Sequence, residues 1–266
     1  MEEAGFIEVD TVRLEYRRWT GLQPPILLMH EALGSISIWR NFPDKLAHAT
    51  GHEVVAWSRQ GHGGSDRPVA PRLADYLNIE AKIVLQVMDA LAIKKAHFFG
   101  HSDGATIAIL AAALAPERVV SLVLEAPHVN VEQGAVDGIV VARRAYETTD
   151  FRPKLARHHR DVDHVFWSWH DVWVSVSFQD WNIEQCLAQI QIPALVIQGL
   201  KDEYFSMGQA ELIVAGLPEA QLLALENCGH SPHRDQEGAV LRAVIAFIND
   251  AKACVIKGPK NIAKTR

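Results

Sequence analysis

The chain has 266 residues, of which 48% are hydrophobic and 22% charged, and its formal net charge is −6. A chain of this length can bury a sizeable core, and the composition argues against a disordered, fibrous or membrane-spanning protein, so we predict one soluble globular body. The negative charge argues against nucleic acid or an anionic membrane surface as a partner.

The first half of the chain alternates predicted strands with predicted helices. Residues 6–19 read as an antiparallel hairpin, because apolar and polar residues alternate along them. Continuous apolar runs, typical of strands covered on both faces of a parallel sheet, follow at 24–30, 52–58, 96–99 and 119–126. Helices are predicted over 39–49 and 76–91, and from the turn after the third of these runs through Ala115. This alternation predicts a doubly wound, mostly parallel α/β sheet.

The alternation stops between residues 128 and 190, where helical stretches at 136–148 and 162–176 follow each other without a buried strand. It resumes with strands at 193–199 and 220–225 and helices at 207–215 and 236–251. We therefore predict an α/β core formed by residues 1–127 and 191–266. Residues 128–190 are predicted to form a helical cap over the C-terminal edge of the sheet.

The predicted cap contains four of the seven tryptophans. Phe166, Trp169 and Trp173 follow one another at helical steps of three and four, which favours packing of the cap against the core. Some of these aromatic residues are also expected to line an apolar substrate cleft, since small-molecule sites are usually walled by such side chains. The candidates for this second role are Trp167, Trp169 and Trp173.

The cysteines and the N-terminal residues indicate the cellular compartment of the protein. Cys186, Cys228 and Cys254 are odd in number and far apart, which fits neither a disulfide framework nor a zinc site. The acidic start, Met1 to Gly5, has no apolar run behind it, so no signal peptide is readable. We predict a cytoplasmic protein, with a frayed and solvated basic tail from Lys252.

The central motif is Gly100-His101-Ser102-Asp103-Gly104, which lies between an apolar strand and an alanine-rich helix. This G-x-S-x-G pattern in a strand–turn–helix context predicts a nucleophile elbow, with Ser102 as the nucleophile. The two glycines have a physical role, because a Cβ atom at either position would collide where strand and helix pack closest. The alternative is an ordinary strand-to-helix turn without catalytic function.

A serine hydroxyl becomes a good nucleophile only beside a base that is itself held by an acid. Two loops after later strands supply candidates in the order that this topology requires: Asp202 as the acid and His230 as the base. Glu203 and Glu125 remain alternatives for the acid, and His233 remains an alternative for the base. The glycine before His230 favours it, because it permits close approach to the elbow.

Negative charge that develops on a tetrahedral intermediate needs preorganised hydrogen-bond donors. The backbone N–H of Asp103, at the start of the elbow helix, is one candidate. The other is on the loop after His30, where Ala32 is preferred over Leu33. The glycine-rich loop 59–66 lacks the lysine of a phosphate-binding loop and is interpreted as a tight structural turn.

Taken together, these motifs resemble the α/β-hydrolase fold superfamily, in particular its small, cofactor-independent, esterase-like members with a helical cap. The resemblance covers nearly the whole chain: the loops 30–35 and 59–66, the elbow 100–104, and the loops that carry Asp202 and His230. It implies a triad of Ser102, Asp202 and His230 that cleaves carboxylic esters through an acyl-enzyme, with the cap shaping the substrate pocket.

The sequence departs from the family pattern beside the nucleophile and in the first loop. Family members commonly have His-Gly where this chain has His30-Glu31, which brings a carboxylate close to the site. Asp103 is more acidic than the usual residue after the nucleophile. Together with Leu33, Glu31 is a candidate for substrate binding.

The expected activity is hydrolysis of esters of small to medium apolar or aromatic molecules. The mechanism requires no metal and no organic cofactor, and the expected partner is a small-molecule substrate; a homodimer is left open. The same triad could serve a lactonase, a thioesterase or a carbon–carbon bond hydrolase. Outside enzymes, the same fold could serve as a ligand-binding protein with an idle triad.

Overall fold

In a computed structural model, residues 2–68 and 70–257 are described, with side chains through residue 249. These residues contain an eight-stranded sheet in the order β1-β2-β4-β3-β5-β6-β7-β8. The strands are β1 (Glu2–Val9), β2 (Val12–Trp19), β3 (Leu22–Met29), β4 (His52–Trp57), β5 (Ala96–His101), β6 (Val119–Glu125), β7 (Ala194–Gly199) and β8 (Ala220–Leu225). The predicted mostly parallel α/β sheet is confirmed.

The hydrogen-bond pattern of the sheet explains where functional loops gather. β1 and β2 form the predicted antiparallel hairpin, and β2 runs antiparallel to β4. All pairs from β4 and β3 through β8 are parallel. The loops that follow β3 through β8 therefore emerge at one edge of the sheet, which is where open α/β sheets bind ligands.

Helices cover both faces of the sheet. The helices are α1 (Phe42–Thr50), α2 (Tyr76–Ala90), α3 (Asp103–Leu114), α4 (Gln133–Thr148), α5 (Phe151–Leu155), α6 (Val162–Trp173), α7 (Glu184–Leu187), α8 (Met207–Gly216), α9 (Pro232–Asp235) and α10 (Glu237–Lys257). Side chains of α1 and α10 pack into one apolar core, and those of α2, α3 and α8 into the other. This sandwich of sheet between helices holds the strand ends in fixed positions.

The boundaries of two helices differ from the expectation. The residues predicted as one helix over 39–49 divide into a 3₁₀ turn, Ile36–Trp39, and α1, which begins at Phe42. Pro43 explains the break, because proline has no N–H to donate and is tolerated only in the first turn of a helix. The last helix continues past residue 251 to Lys257, and the remainder of the predicted basic tail, 258–266, lies outside the described residues.

The segment between β6 and β7 is helical, as the sequence indicates. It contains α4, α5, α6 and α7, and its only bridge of sheet type among the described residues joins Asn130 to Asn182. Side chains of α4 and α6 join the same apolar core as α2 and α3. None of the helices in the described part of the chain is long and apolar enough to cross a bilayer.

Candidate active site

Ser102 occupies a strained turn between β5 and α3. Its backbone angles are φ 54° and ψ −120°, a region that residues with side chains rarely adopt and that costs on the order of 1–3 kcal/mol. A Cβ atom at Gly100 would collide with the backbone of Gly104, and one at Gly104 would collide with the carbonyl of Met29. The glycines therefore allow the tight turn that presents the Ser102 hydroxyl at the edge of the sheet.

Three side chains from separate strand ends form a continuous hydrogen-bonded row. The His230 Nε2 atom lies 3.0 Å from Ser102 Oγ, and His230 Nδ1 lies 2.9 Å from Asp202 Oδ2 and 3.0 Å from Asp202 Oδ1. Because Nδ1 faces a carboxylate, it carries the proton, and Nε2 is left to accept the hydrogen of the serine hydroxyl. The row can therefore move a proton from serine to histidine as Ser102 attacks an electrophile.

The carboxylate of Asp202 is fixed by several donors besides His230. The side-chain amide of Gln198 donates to Oδ2 at 2.8 Å, and the backbone amides of Tyr204 and Phe205 donate to Oδ1 at 2.8 and 3.1 Å. Burial alone would raise the pKa of Asp202, but the hydrogen bond from His230 and those of the two amides outweigh it and lower the pKa. Asp202 is thus held ionised and oriented towards the imidazole.

The structure also places the residues that the sequence left as alternatives. Glu125 Oε2 accepts a hydrogen bond from His233 Nδ1 at 2.7 Å, so the alternative acid and the alternative base pair with each other. Neither is part of the row that contains Ser102. Glu203 accepts the backbone N–H of His230 at 3.1 Å and does not contact the imidazole nitrogens.

The loop after β3 approaches the elbow and is held by buried histidines. His30 Nε2 accepts the backbone N–H of Arg59 at 3.0 Å, and His62 Nε2 lies 3.0 Å from the Ala32 carbonyl. Burial, reinforced by the charge of Arg59, lowers the pKa of both imidazoles well below the usual value. Loop 59–66, interpreted as a structural turn, contributes backbone bonds such as the one from Gly61 N–H to the Asp66 carbonyl at 2.8 Å.

Glu31 lies directly beside the elbow. Its Oε2 atom is 3.7 Å from His101 Nδ1, at ion-pair distance, and His101 Nε2 donates to the His230 carbonyl at 2.6 Å. Burial opposes ionisation of Glu31, but the contact with His101 outweighs it and lowers the pKa of the carboxyl. A side chain at Gly34 would collide with this carboxylate, so the glycine makes room for it.

A cavity of about 330 Å³ opens onto Ser102 and His230. Ala32, Leu33 and Asp103 line it, and Asp103 is the first residue of α3, so its backbone N–H has no acceptor within the helix. The wall on the side of the helical segment is apolar and comprises Ala135, Ile139, Phe151, Leu155, Trp169 and Trp173. Glu31 also lines this cavity, as do Glu203, Tyr204, Phe205, Ser231 and Arg234.

The structure does not bring Trp167 to this cavity, in contrast to the expectation from sequence. Trp167 lines a separate surface depression with Arg72 and Leu73, and its ring lies under the guanidinium of Arg143. The reason is helical geometry, because residues two positions apart on a helix point about 200° away from each other. Trp169 and Trp173, four apart, share the face that meets the cavity.

A second polar cluster, which the sequence analysis missed, surrounds the side chain of Asp103. Asp103 Oδ2 accepts the Tyr76 hydroxyl at 2.9 Å and lies 3.6 Å from Arg59 Nη1, while Oδ1 lies 3.9 Å from His128 Nε2. The indole N–H of Trp173 donates to the Tyr76 hydroxyl at 3.0 Å. Only polar residues at the ends of apolar strands, such as Arg59 and His128, could have indicated this cluster.

The residues of the site offer no metal centre. Within residues 2–68 and 70–249, no three His, Cys, Asp or Glu side chains are grouped so that they could hold a metal ion.

Comparison with known sequences identifies the fold family. The profile of the family described as alpha/beta hydrolase fold matches residues 24–163, more than half of the chain. The chain belongs to the α/β hydrolase fold family. The match includes the loop after β3, the elbow and the start of the helical segment.

Two relatives of this α/β hydrolase carry names that describe hydrolases. Esterase YbfF of Escherichia coli strain K12 is 27% identical, over 85% of this chain and 93% of its own length. The serine hydrolase BPHL of Homo sapiens is 28% identical, over 85% of this chain and 80% of its own length. These similarities identify this α/β hydrolase as a hydrolase of that fold.

Among solved structures, 2-hydroxy-6-oxo-6-phenylhexa-2,4-dienoate hydrolase from Rhodococcus sp. strain RHA1 superimposes with a TM-score of 0.81. The alignment covers 94% of this chain and 99% of the other at 17% sequence identity. At that identity the similarity concerns the fold, which this α/β hydrolase shares along nearly its whole length.

Proposed function

We propose that this α/β hydrolase is a serine hydrolase that cleaves carboxylic esters of small to medium apolar or aromatic molecules. The observation that carries the proposal is the 3.0 Å contact between Ser102 Oγ and His230 Nε2, with Asp202 behind the imidazole. An idle binding scaffold would not need these three groups aligned for proton transfer. The names of the two curated relatives, an esterase and a serine hydrolase, also support this class.

In the first half of the proposed reaction, Ser102 Oγ attacks the ester carbonyl carbon while His230 Nε2 takes the hydroxyl proton. Asp202, held ionised by its hydrogen bonds, stabilises the imidazolium that forms. The backbone N–H groups of Ala32 and Asp103 are proposed to donate to the oxyanion. The C–O bond then breaks, and the alcohol leaves with the proton from His230.

In the second half, water attacks the acyl-enzyme. His230 takes a proton from the water, and the tetrahedral intermediate collapses when the bond to Ser102 Oγ breaks. The serine recovers its proton from His230, and the carboxylic acid is released. No redox chemistry is involved, and every proton in the cycle passes through the same imidazole.

The cavity supports the substrate class. Its volume of about 330 Å³ is at the small end of ligand sites, and its apolar wall includes Phe151, Trp169 and Trp173. We propose that residues 128–190 act as a cap that shapes this wall, on a core formed by residues 1–127 and 191–266. Leu33, on the loop after β3, would contact the substrate from the core side.

The test combines active-site labelling with a substrate panel. A fluorophosphonate should label the wild type once, and Ser102→Ala should abolish the labelling, while the control Ser177→Ala, a change of an exposed serine outside the cavity, should retain it. The panel contains p-nitrophenyl acetate, butyrate and phenylacetate, with a lactone and an acyl thioester as alternatives. Turnover of the nitrophenyl esters that disappears in Ser102→Ala is the expected result.

Two outcomes would contradict the proposal. Labelling that survives Ser102→Ala would place the reactive group elsewhere. Serine-dependent turnover of the lactone or thioester, with none of the nitrophenyl esters, would keep the triad but replace the proposed substrate class.

A further inference from the structure

One arginine lines the cavity, and two more follow closely in sequence on residues that line it. Arg234, on α9, lines it directly. Arg40 and Arg157 each lie two positions after a residue that lines it, Ile38 and Leu155 respectively. All three arginines are exposed. They come from three separate parts of the chain, the turn before α1, the loop after α5, and α9, and we call them the arginine rim.

The arginine rim lacks the acidic partners that most other arginines of this protein have. Within the described residues, no ion pair or side-chain hydrogen bond is formed by Arg40, Arg157 or Arg234. Arginines that do pair with a carboxylate include Arg13, Arg17, Arg18, Arg59, Arg67, Arg72, Arg118, Arg143, Arg152 and Arg160. Three unpaired guanidinium groups that all act on one histidine are unexpected in a chain of net charge −6.

All three arginines of the rim act on the same side chain, His158. This half-buried histidine bonds to the hydroxyl of Ser37 through Nδ1 at 2.8 Å, which joins the loop after α5 to the loop before α1. Burial, followed by the charges of Arg40, Arg157 and Arg234, lowers the pKa of His158, although Glu31 opposes this effect. The three guanidinium groups therefore all lie close enough to His158 to act on its charge, and so does Glu31.

The acidic groups nearest to this region are already engaged. Glu31 forms its ion pair with His101, at 3.7 Å. Glu203 accepts the backbone N–H of His230 at 3.1 Å, and Asp235, next to Arg234, accepts the backbone N–H of Gly229 at 2.8 Å. None of these three carboxylates forms an ion pair with Arg40, Arg157 or Arg234, so the guanidinium groups keep their hydrogen-bond donors free for a ligand.

Arg40 also has an unusual backbone. Its angles of φ 54° and ψ −122° are nearly those of Ser102, φ 54° and ψ −120°. A conformation of this kind in a residue with a side chain costs on the order of 1–3 kcal/mol and clusters at functional sites. The turn is fixed by the hydrogen bond from the Arg40 N–H to the Ser37 carbonyl, at 3.2 Å.

From these observations we infer that the arginine rim binds an anionic group of the substrate, a carboxylate or a phosphate, away from the bond that is cleaved. The apolar wall would hold the uncharged part of the molecule while the guanidinium groups hold its charged end. The natural substrate is then an anionic ester or thioester. This inference rests on the proposed function: it keeps the reaction at Ser102 and adds a charged end to the apolar acyl substrate.

The first test compares substrates that differ only in charge. Mono-p-nitrophenyl glutarate carries the anion on the acyl side, and its methyl ester is the neutral match. Butyryl-4′-phosphopantetheine carries a phosphate on the leaving group, and butyryl-pantetheine is its neutral match. We expect kcat/KM to be about tenfold higher for the anionic member of at least one pair at low salt, and this advantage to shrink in 0.5 M NaCl.

The rim variants test whether these arginines cause the preference. Arg40→Gln, Arg157→Gln and Arg234→Gln should each reduce the ratio of anionic to neutral kcat/KM by roughly three- to tenfold, and Arg234→Lys should restore part of it. Arg143→Gln is the matched control, because it removes one positive charge from an exposed pair with Glu147 on α4. A ratio near one in the wild type for both pairs, or ratios unchanged in all three variants, would overturn the inference.

A binding experiment separates this inference from the proposed function. Ser102→Ala can be titrated calorimetrically with mono-p-nitrophenyl glutarate and with its methyl ester, which requires no turnover. Tighter binding of the anionic compound, lost on adding Arg234→Gln and Arg157→Gln, supports the rim even if the wild type hydrolyses neither ester. Equal affinity for the two compounds contradicts the rim even if the wild type hydrolyses both.

Discussion

Ser102 and Asp103 are neighbours in the chain, but their side chains belong to two different polar clusters. The Ser102 cluster, with His230 and Asp202, opens onto a cavity and forms a continuous row of hydrogen bonds. The Asp103 side chain is 1% exposed and meets Arg59, which is equally buried. One cluster is accessible from the cavity, whereas the other, which we call the sealed cluster, is buried and held by its contacts.

The difference shows how one turn can serve two purposes. Ser102 has a strained backbone and Asp103 begins α3. At this turn the Ser102 side chain points out of the sheet towards the cavity, and the Asp103 side chain points into the protein. Outside, the aligned groups are available for chemistry. Inside, Asp103 is tied through Tyr76 and Arg59 to the rest of the core, which holds the backbone N–H of Asp103 in place beside the cavity. Three predictions test this contrast.

The largest effect is expected from Asp202→Asn. The amide would turn the other tautomer of His230 towards it, so that Nε2 could no longer accept the serine proton, and kcat should fall about 10⁴-fold. Steady-state hydrolysis of p-nitrophenyl butyrate measures this effect. Because the asparagine oxygen can still accept the backbone N–H groups of Tyr204 and Phe205 and the fold should remain, the urea midpoint should move far less than the rate. Equal losses of stability and rate would contradict a reactive role for this cluster.

The next largest effect is expected from Asp103→Asn, measured as the free energy of unfolding in urea. The change keeps the size of the side chain but leaves the Arg59 guanidinium buried without a counter-charge, which costs about 3–5 kcal/mol.

Tyr76→Phe is the milder control for the sealed cluster. It removes one hydroxyl, which donates a hydrogen bond to Asp103 and accepts one from Trp173. The free energy of unfolding should therefore fall by about 1–3 kcal/mol. If Asp103→Asn costs no more than Tyr76→Phe, the ion pair is not what holds the sealed cluster.

The smallest of the three effects is a loss of folding stability at acidic pH. Burial lowers the pKa of His128 from 6.5 to about 4. The unfolded chain therefore binds a proton between these values that the folded protein does not. The contribution of His128 to stability is complete above pH 6.5 and falls by about 3 kcal/mol as the pH drops to about 4. His30 and His62, whose pKa values are also lowered, should add to this loss.

Urea unfolding at several pH values between 4.5 and 7.5 measures this dependence. His128→Gln should flatten the slope, while His48→Gln, a change of an exposed histidine on α1, should keep the slope of the wild type. A stability that does not change across this range, or a slope that His128→Gln leaves intact, would show that the buried neutral histidine is not responsible.

The sequence predicted the residues of the site well where the topology of the sheet alone determines their position. Parallel strands end at one edge, so residues after β5, β7 and β8 meet there, and the glycines of the elbow mark the turn. The apolar runs predicted the strands to within a few residues, and the eight-stranded mostly parallel sheet follows from their alternation with helices.

The sequence predicted less well which residues come into contact where this depends on the direction of their side chains. The sealed cluster combines Arg59 from a loop, Tyr76 from α2 and His128 from the segment after β6, and no periodicity relates these positions. Trp167 shares a helix with Trp169, and only the rotation of that helix separates their surroundings. The rim arginines were missed because a surface arginine is common, and only its lack of a partner makes it notable.

The hydrogen bonds from the Trp173 indole to Tyr76 and from Tyr76 to Asp103 have a consequence for substrate exchange. They fasten α6 to the residue next to the nucleophile through donors and acceptors that water does not reach. An outward movement of α6 would break both hydrogen bonds. Each buried polar group left without a partner would then cost about 1–3 kcal/mol of free energy. Substrate and product are therefore expected to enter and leave the site without an outward movement of α6.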